Sequence, residues 1–314
     1  MDFLSPATLT GALEAKAGRP DAVPVAGGTD VMVEVNFGQR RPDALLDLTR
    51  AAELGHVGRE GGVLRVGAGV SYTRIIGELS AALPGLAMAA RTVGSPQIRN
   101  RGTVGGNLGS ASPAGDMHPV LLACGAQVET ASVRGTRLIP AAEFFTGPKR
   151  SALQPDELIT AFWISPAAGP QQFAKIGTRN AMVIAVCSFA LSLWPQGRPG
   201  GPENGDGEAG GDRAAGTVGT GIGSAGPVPL RATEAEEFLA GELAAAGLWE
   251  SRGPLPAAAV ARFGELVAAA AQPIDDVRGT AAYRRHALGV LARRTLGWAW
   301  HSYRENQSGM QAAP

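Results

Sequence analysis

Two glycine pairs, each followed by a small polar residue, are the residues of this chain whose spacing best fits ligand binding. They lie in a first glycine segment, Val25-Ala26-Gly27-Gly28-Thr29-Asp30-Val31, and a second glycine segment, Thr103-Val104-Gly105-Gly106-Asn107. Glycine permits positive φ and lets backbone N–H groups approach a ligand with no Cβ in the way. Successive amides at such a turn form a nest that binds anions. Two facing nests, with Thr29 and Thr103 as further donors, would hold a pyrophosphate without any lysine.

Either pair alone is more often an ordinary tight turn, whereas matched pairs in one chain favour a binding role. The first pair follows a predicted strand at 23–26, and Thr29-Asp30 can cap a helix that ends at Gly38. Strands are predicted at 44–48 and 63–68, and Ser71 caps a helix after the second of them. The stretch 94–107 has no stable period, which predicts a long functional loop.

The remainder of the chain predicts strands first and helices later. Strand patterns occur at 126–133, 157–164, 173–176 and 183–194, and helical patterns at 232–246, 256–271 and 279–302. Between Pro195 and Gly216 lies a tract of Gly, Pro, Asn, Glu and Asp that buries too little apolar surface to order itself. Its place between two strand-like runs favours a disordered hairpin insertion over a domain linker. The order of elements predicts an α+β protein in three lobes.

Other motifs carry less chemistry. Residues 221–226 match the GxGxxG pattern, but Pro227 and Pro229 would break the helix that a dinucleotide needs. Asp116 and His118 precede an apolar helix, a spacing more often found in a helix cap than in an acid–base pair. A basic cluster on the last predicted helix favours a solvated face, with a partner contact as the alternative; its members are Arg284, Arg285, His286, Arg293 and Arg294.

The composition narrows the class of protein. Lys plus Arg and Asp plus Glu are each 28, so no net field favours nucleic acid or an anionic membrane. No signal peptide or membrane span is expected, and we predict a cytoplasmic protein. Cys124 and Cys187 lie in apolar segments, which favours two buried thiols over a disulfide. The four histidines show no ligand spacing, so any metal or iron–sulfur cluster should lie on another chain.

The two glycine segments resemble the FAD pyrophosphate loops of the molybdenum hydroxylase flavoprotein subunits, a family that includes xanthine dehydrogenase and carbon monoxide dehydrogenase. The surrounding residues are also similar to that family: Ser95–Asn100 before the second segment, Ser110–Asp116 after it, and Pro273–Arg285 near the C-terminus. The resemblance covers nearly the whole chain except the glycine-rich insertion.

The resemblance implies a fold and its boundaries. It implies an α+β, two-lobed FAD-binding domain (PCMH/vanillyl-alcohol-oxidase-like) and a C-terminal domain of a small antiparallel sheet and helices. The boundaries expected are 1–55 for the first lobe, 56–170 for the second, 171–305 for the C-terminal domain with the insertion 196–216, and 306–314 for a tail.

The resemblance also implies a cofactor site. Residues 25–31, with Thr103, Gly105, Gly106 and Asn107, would wrap the pyrophosphate of a non-covalent FAD. Asp116 would contact the sugar-like part of FAD, Ile159 would lie against the flavin ring, and Lys175 would sit near it. Val183 stands where many relatives carry an acid, which leaves the electron acceptor open.

The resemblance implies that the chain relays electrons. A large molybdopterin-binding subunit would hydroxylate the substrate, a small subunit with [2Fe–2S] clusters would pass electrons to this chain, and FAD would deliver them, typically to NAD⁺. The resemblance favours xanthine dehydrogenase and purine oxidation, in a dimer of heterotrimers. The alternatives are a flavin subunit serving carbon monoxide or an aldehyde, a self-contained FAD oxidase, and a flavin-free scaffold.

Overall fold

The computed structural model of the chain describes residues 1–198 and 216–311. The predicted insertion at 196–216 therefore lies almost wholly outside the described residues. Across those two ranges, no helix is long and apolar enough to cross a membrane. Cys124 and Cys187 are both buried and free, so the prediction of two thiols is confirmed.

The N-terminal part is a small parallel sheet with strand order β1-β3-β2 and two helices. Its elements are β1 (Asp2–Leu4), α1 (Leu9–Gly18), β2 (Val23–Val25), α2 (Val31–Asn36) and β3 (Ala44–Asp47). Thr8 caps α1 by accepting a hydrogen bond from the Gly11 N–H at 3.1 Å. Asp30 occupies the cap position of α2 without a side-chain capping bond, so the predicted capping by Thr29-Asp30 is wrong in its chemistry. The first glycine segment is the turn between β2 and α2.

The central part is built on a five-stranded antiparallel sheet of order β4-β5-β10-β6-β7. Its strands are β4 (Val57–Glu60), β5 (Val63–Gly67), β6 (Gln127–Ser132), β7 (Gly135–Pro140) and β10 (Leu158–Ile164), preceded by a 3-10 helix at Ala52–Gly55. Buried Glu129 joins three of these strands, because it accepts hydrogen bonds from Arg65 at 2.8 Å, Thr160 at 2.5 Å and Trp163 at 2.8 Å. A large apolar core lies between the sheet and the helices that follow.

The helices of this part position the second glycine segment. They are α3 (Tyr72–Glu78), α4 (Pro84–Thr92), α5 (Pro96–Arg101), α6 (Val104–Ser110), α7 (Met117–Ala123) and α8 (Ala141–Phe144), followed by the hairpin β8 (Phe145–Gly147) and β9 (Arg150–Ser151). Ser71 caps α3, as predicted. The predicted long loop at 94–107 is wrong, because Ser95 caps α5 and Thr103 caps α6. Side-chain caps stabilise even such short helices by satisfying their first free N–H groups.

The C-terminal part is a three-stranded antiparallel sheet followed by helices. Its elements are β11 (Gln171–Ile176), β12 (Cys187–Trp194), β13 (Thr217–Gly223), α9 (Thr233–Ala245), α10 (Leu248–Ser251), α11 (Ala257–Ala270) and α12 (Ala281–Gln311). Alternate residues of β12 fill two cores: Ala190 and Trp194 join the central core, whereas Phe189, Leu191 and Leu193 join the core under α9, α11 and α12. Side chains alternate across a strand. One face of this sheet therefore packs on the core of the central part, and the other face packs on the C-terminal helices. Helix α12 continues into the predicted tail 306–314.

The basic cluster on α12 was predicted to be a solvated face, and for Arg284 this is wrong. Its side chain is only 3% exposed and bonds Asp276 at 2.5 Å and the Ser224 carbonyl at 2.6 Å. Arg278 bonds the same carboxylate at 2.6 Å, and these bonds hold the pKa of Asp276 well below its usual range. The other four members of the cluster are exposed. The turn before α12 is therefore fixed by a buried arginine.

The GxGxxG match at 221–226 begins within β13, and its glycines serve packing. A Cβ on Gly221 would lie 1.9 Å from the Pro119 carbonyl oxygen, so the strand crosses α7 at backbone contact.

We expect Gly221→Ala to lower the free energy of unfolding by about 1–3 kcal/mol, because the added methyl group overpacks this contact and the backbone of β13 or α7 must move to make room. Thermal or urea unfolding measures this.

Gly241→Ala is the matched control for that substitution. Gly241 lies inside α9 with no atom within 4 Å of its would-be Cβ. The change should raise stability by roughly 0.5–1 kcal/mol, because alanine loses less backbone entropy in a helix than glycine. Equal stabilities for the two variants would contradict the packing role of Gly221.

Candidate functional site

The first glycine segment presents free backbone donors. Gly28 has φ +72°, in the left-handed region that favours glycine. The N–H groups from Gly27 to Val31 donate to no other group within the described part of the chain. Val25 to Thr29 and Val31 are half-buried, and Asp30 is exposed. A short run of unpaired amides at a positive-φ turn can bind an anion such as a phosphate.

The second glycine segment is built differently from a nest of free amides, because two of its N–H groups have partners within the chain. The Gly106 N–H donates to the Thr103 hydroxyl at 2.9 Å, and the Gly105 N–H donates to the Ala68 carbonyl at 3.2 Å. A Cβ on Gly105 would lie 2.5 Å from the Ala68 carbonyl oxygen. This glycine therefore allows close packing of α6 on the turn after β5. The Thr103 hydroxyl accepts the capping bond and keeps its own proton available to donate.

The first glycine segment lies against the turn that leads into the second. A Cβ on Gly27 would stand 2.0 Å from the carbonyl oxygen of Arg101, in the turn between α5 and α6. The neighbouring Gly102 carbonyl accepts a hydrogen bond from the Tyr72 N–H at 3.1 Å. Lys149 adds a second link, because its ammonium bonds Glu34 of α2 at 2.6 Å and its N–H donates to the Ala111 carbonyl at 3.0 Å. That the two segments face one shared ligand stays a prediction.

Two buried side-chain oxygens beside the second glycine segment have no hydrogen-bond partner among the described residues. They are Oδ1 of Asn107, within α6, and Oδ1 of Asp116, at the start of α7. A buried acceptor without a donor costs free energy, so such atoms point to a missing donor. Hydroxyl groups of a ligand would supply one.

Asp116 is held by Lys175 rather than acting as a helix cap. The Lys175 ammonium, 9% exposed, bonds Oδ2 of Asp116 at 2.6 Å, and Asp116 makes no capping bond to α7. Burial raises the pKa of Asp116, while Lys175 and the Thr92 hydroxyl oppose that shift. A buried carboxylate needs such a partner to stay charged.

Lys175 was predicted to lie near the flavin ring. In the structure, its ammonium donates all its hydrogen bonds to groups of the chain itself. Besides Asp116, the ammonium donates to the carbonyls of Thr92 at 3.0 Å and Val183 at 3.1 Å. Three bonds use all the protons of an ammonium group. Lys175 thus fixes Asp116 and the backbone at Val183. Any bond to a ligand would require it to give up one of these partners.

Ile159 lies in β10 and is 8% exposed, beside a register shift in the pairing with β6. Its Cδ1 lies 3.7 Å from the would-be Cβ of Gly109, so it packs on α6 close to the second glycine segment. A mostly buried apolar side chain therefore lies against α6, the helix that carries Asn107. Phosphates need such donors, sugar-like hydroxyls need such acceptors, and a flavin ring needs apolar contact, so these residues fit FAD.

The burial of His118 and its contacts were not predicted from the sequence. Its fully buried ring bonds the Asn107 carbonyl through Nε2 at 3.0 Å and packs on Phe145 with ring centroids 4.4 Å apart. Burial lowers its pKa to about 4, opposed by the bond to that carbonyl. The partner lies eleven positions earlier, and no local pattern signals such a contact.

Two family models together match most of the chain. A family model described as the FAD binding domain in molybdopterin dehydrogenase matches residues 1–166. A second, the CO dehydrogenase flavoprotein C-terminal domain, matches residues 173–299. The chain is 31% identical over 301 residues to the nicotine 6-hydroxylase medium subunit of Paenarthrobacter nicotinovorans, covering 94% of this chain and 95% of that one.

Two further similarities extend over nearly the same length. The xanthine dehydrogenase FAD-binding subunit of Escherichia coli O157:H7 is 28% identical over 302 residues, covering 93% of this chain and 94% of that one. Among solved structures, a carbon monoxide dehydrogenase from Hydrogenophaga pseudoflava superposes with a TM-score of 0.82 at 25% identity, covering 96% of this chain and 98% of that chain.

Proposed function

This chain belongs to the family of FAD-binding subunits of molybdenum hydroxylases, and from that premise we propose that it relays electrons from iron–sulfur clusters of a small partner subunit to NAD⁺. FAD is the cofactor of this family, and partner subunits carry the molybdenum cofactor and the clusters. The observation that supports FAD binding is the run of free amides from Gly27 to Val31, together with two buried oxygens, on Asn107 and Asp116, that have no partner among the described residues.

Each part of the proposed site has a task set by its chemistry. The amides of Gly27 to Val31 donate to the pyrophosphate, and the Thr103 hydroxyl adds a donor from the second glycine segment. Asn107 and Asp116 accept from hydroxyls of the cofactor, and Ile159 gives apolar contact to the ring. Lys175 keeps Asp116 charged and in place. We propose the remaining predicted positions, Val25, Ala26, Gly105 and Gly106, as the backbone that shapes this cradle.

The bound flavin supplies the ability to take electrons singly and release them in pairs, which protein side chains lack. The protein positions the cofactor and shields it. No cysteine or histidine belongs to either glycine segment, so we propose a non-covalent FAD that acid precipitation releases into the supernatant. NAD⁺ is the acceptor we propose.

A purine is the substrate class we propose for the assembled enzyme, in a dimer of heterotrimers with a large and a small partner in the cytoplasm. The likeness to a xanthine dehydrogenase subunit at 28% identity supports it. A relative named for nicotine at 31% identity supports a second candidate, another nitrogen heterocycle. A further relative at 28% identity is named for carbon monoxide. Such a spread is expected if the substrate binds another subunit.

The relay proposal predicts a division of half-reactions. The FAD-loaded chain alone should not be reduced anaerobically by xanthine, hypoxanthine, nicotine, carbon monoxide or simple aldehydes, because it would lack the centre that oxidises them. It should take electrons from NADH and pass them to an artificial dye, because that step needs only the flavin and its pocket. Loss of the visible flavin absorbance measures reduction by each substrate and by NADH, and reduction of the dye measures the electrons passed on.

Adding the two partner subunits should restore bleaching by the true substrate, and the panel identifies which one it is. Xanthine should act fastest if the purine proposal is correct. Anaerobic bleaching by any organic substrate with this chain alone would overturn the relay in favour of a self-contained oxidase. Failure of NADH, with bleaching by substrate in the complex, would contradict NAD⁺ as the acceptor and leave the relay standing.

A further inference from the structure

His118 joins two segments of the proposed site. The ring is fully buried, and its Nε2 lies 3.0 Å from the Asn107 carbonyl oxygen. A carbonyl oxygen can only accept, so Nε2 carries the proton and donates. The same carbonyl accepts a hydrogen bond from the Ser110 hydroxyl at 3.0 Å. One end of the histidine is therefore tied to the backbone of α6.

The other side of the ring touches the segment that leads to Asp116. A Cβ on Gly115 would lie 2.3 Å from Cε1 of His118, so only glycine leaves room for the ring there. Phe145 covers the ring with centroids 4.4 Å apart. The histidine thus sets the spacing between Asn107 and Gly115, and Asp116 follows directly in the chain.

Both joined segments carry a buried side-chain oxygen without a partner, at Oδ1 of Asn107 and Oδ1 of Asp116. We propose that His118 is a positioning residue for FAD, which holds these two acceptors at the separation that hydroxyl groups of the cofactor require. The inference rests on the proposed FAD site. His118 touches neither cofactor nor reacting atoms in this role, and acts through Asn107 and Gly115.

The test uses three variants of the full-length chain and titration with FAD. His118→Leu keeps an apolar side chain and removes the donor, so the Kd for FAD should rise about tenfold or more, equivalent to 1.4 kcal/mol. His118→Gln places an amide N–H at a similar reach and should restore the Kd to within about threefold of wild type. Rescue by a donor of another shape is not expected from a residue that only fills space.

Thr295→Val is the matched control. Thr295 is also fully buried, and its hydroxyl likewise donates to a backbone carbonyl, that of Leu291 at 2.9 Å, inside α12. The variant should lose stability without changing the Kd for FAD. Equal loss of FAD in Thr295→Val and His118→Leu would overturn the proposal, because the effect would then follow global stability.

Two other outcomes are decisive. FAD binding by His118→Leu as tight as by wild type overturns the positioning role and leaves the FAD site intact. Absence of FAD binding by wild type overturns both. If His118→Leu is not recovered folded, Gly115→Ala applies the same displacement from the other side, because its methyl meets the ring at 2.3 Å, and its Kd should rise in the same way.

Discussion

Gly27→Ala should yield a folded protein that is purified without flavin. The added Cβ would lie 2.0 Å from the Arg101 carbonyl oxygen and 2.5 Å from its carbon, and both are backbone atoms. The first glycine segment and the turn at Arg101 must therefore move apart by an ångström or more. A misplacement of about 1 Å can cost an enzyme roughly a hundredfold in rate, and we expect the affinity for FAD to fall as well. The measurement is the ratio of flavin absorbance to protein absorbance, followed by the Kd for added FAD.

Gly18→Ala is the control in the same part of the chain. Gly18 ends α1, and no atom lies within 4 Å of its would-be Cβ. That variant should retain FAD as wild type does. Circular dichroism of both variants separates loss of cofactor from loss of fold. Stoichiometric FAD in Gly27→Ala would show that close contact between the first glycine segment and the turn at Arg101 is not needed for binding.

The fold class and the family could be predicted from the sequence, and both are confirmed. Strand β12 was recognised from its β-branched and aromatic residues, and Ser71 from its position before an apolar helix. These signals are local, which is why they survive without a structure. The prediction began that strand at 183, whereas it begins at Cys187. Val183 lies before it, with its carbonyl bound to Lys175.

The errors have a common physical cause. Sequence patterns report on neighbouring residues, whereas the contacts that were missed join residues brought together by the fold. Helices α5 and α6 have six and seven residues, too few turns to show an amphipathic period, so only the caps at Ser95 and Thr103 could have indicated them. Arg284 is buried because the chain turns back to bring Asp276 to it. The FAD-contacting roles and the domain boundaries at 55 and 170 stay predictions.

The buried pair of Asp116 and Lys175 could not be read from the sequence, because its members are 59 positions apart. Removing the lysine of this pair should strongly destabilise the protein. Both side chains are about nine-tenths buried, at 10% and 9% exposed. Lys175→Met removes the ammonium and leaves a buried carboxylate uncompensated. We expect a loss of about 3–5 kcal/mol in the free energy of unfolding at pH 7.

The pH dependence of that loss identifies its cause. Burial raises the pKa of Asp116 above its ordinary 3.8, and without Lys175 the folded-state pKa should rise further. A carboxyl whose pKa is raised by folding contributes stability fully below its unfolded pKa and loses it as pH rises through the folded pKa. The penalty of Lys175→Met should therefore shrink as pH falls toward 4, where the carboxyl is protonated. Urea unfolding of both proteins at several pH values measures it.

The double variant Lys175→Met with Asp116→Asn is the control, because it removes the stranded charge as well as its partner. It should recover most of the stability at pH 7 and lose the extra pH dependence, since an amide does not titrate. FAD binding should remain weaker than in wild type, because a neutral amide oxygen is a poorer acceptor than a carboxylate and Lys175 no longer holds it in place. A cost below about 1 kcal/mol for Lys175→Met at every pH would be the behaviour of an exposed ion pair. It would mean that water reaches the carboxylate and that Lys175 does not hold Asp116 for the cofactor.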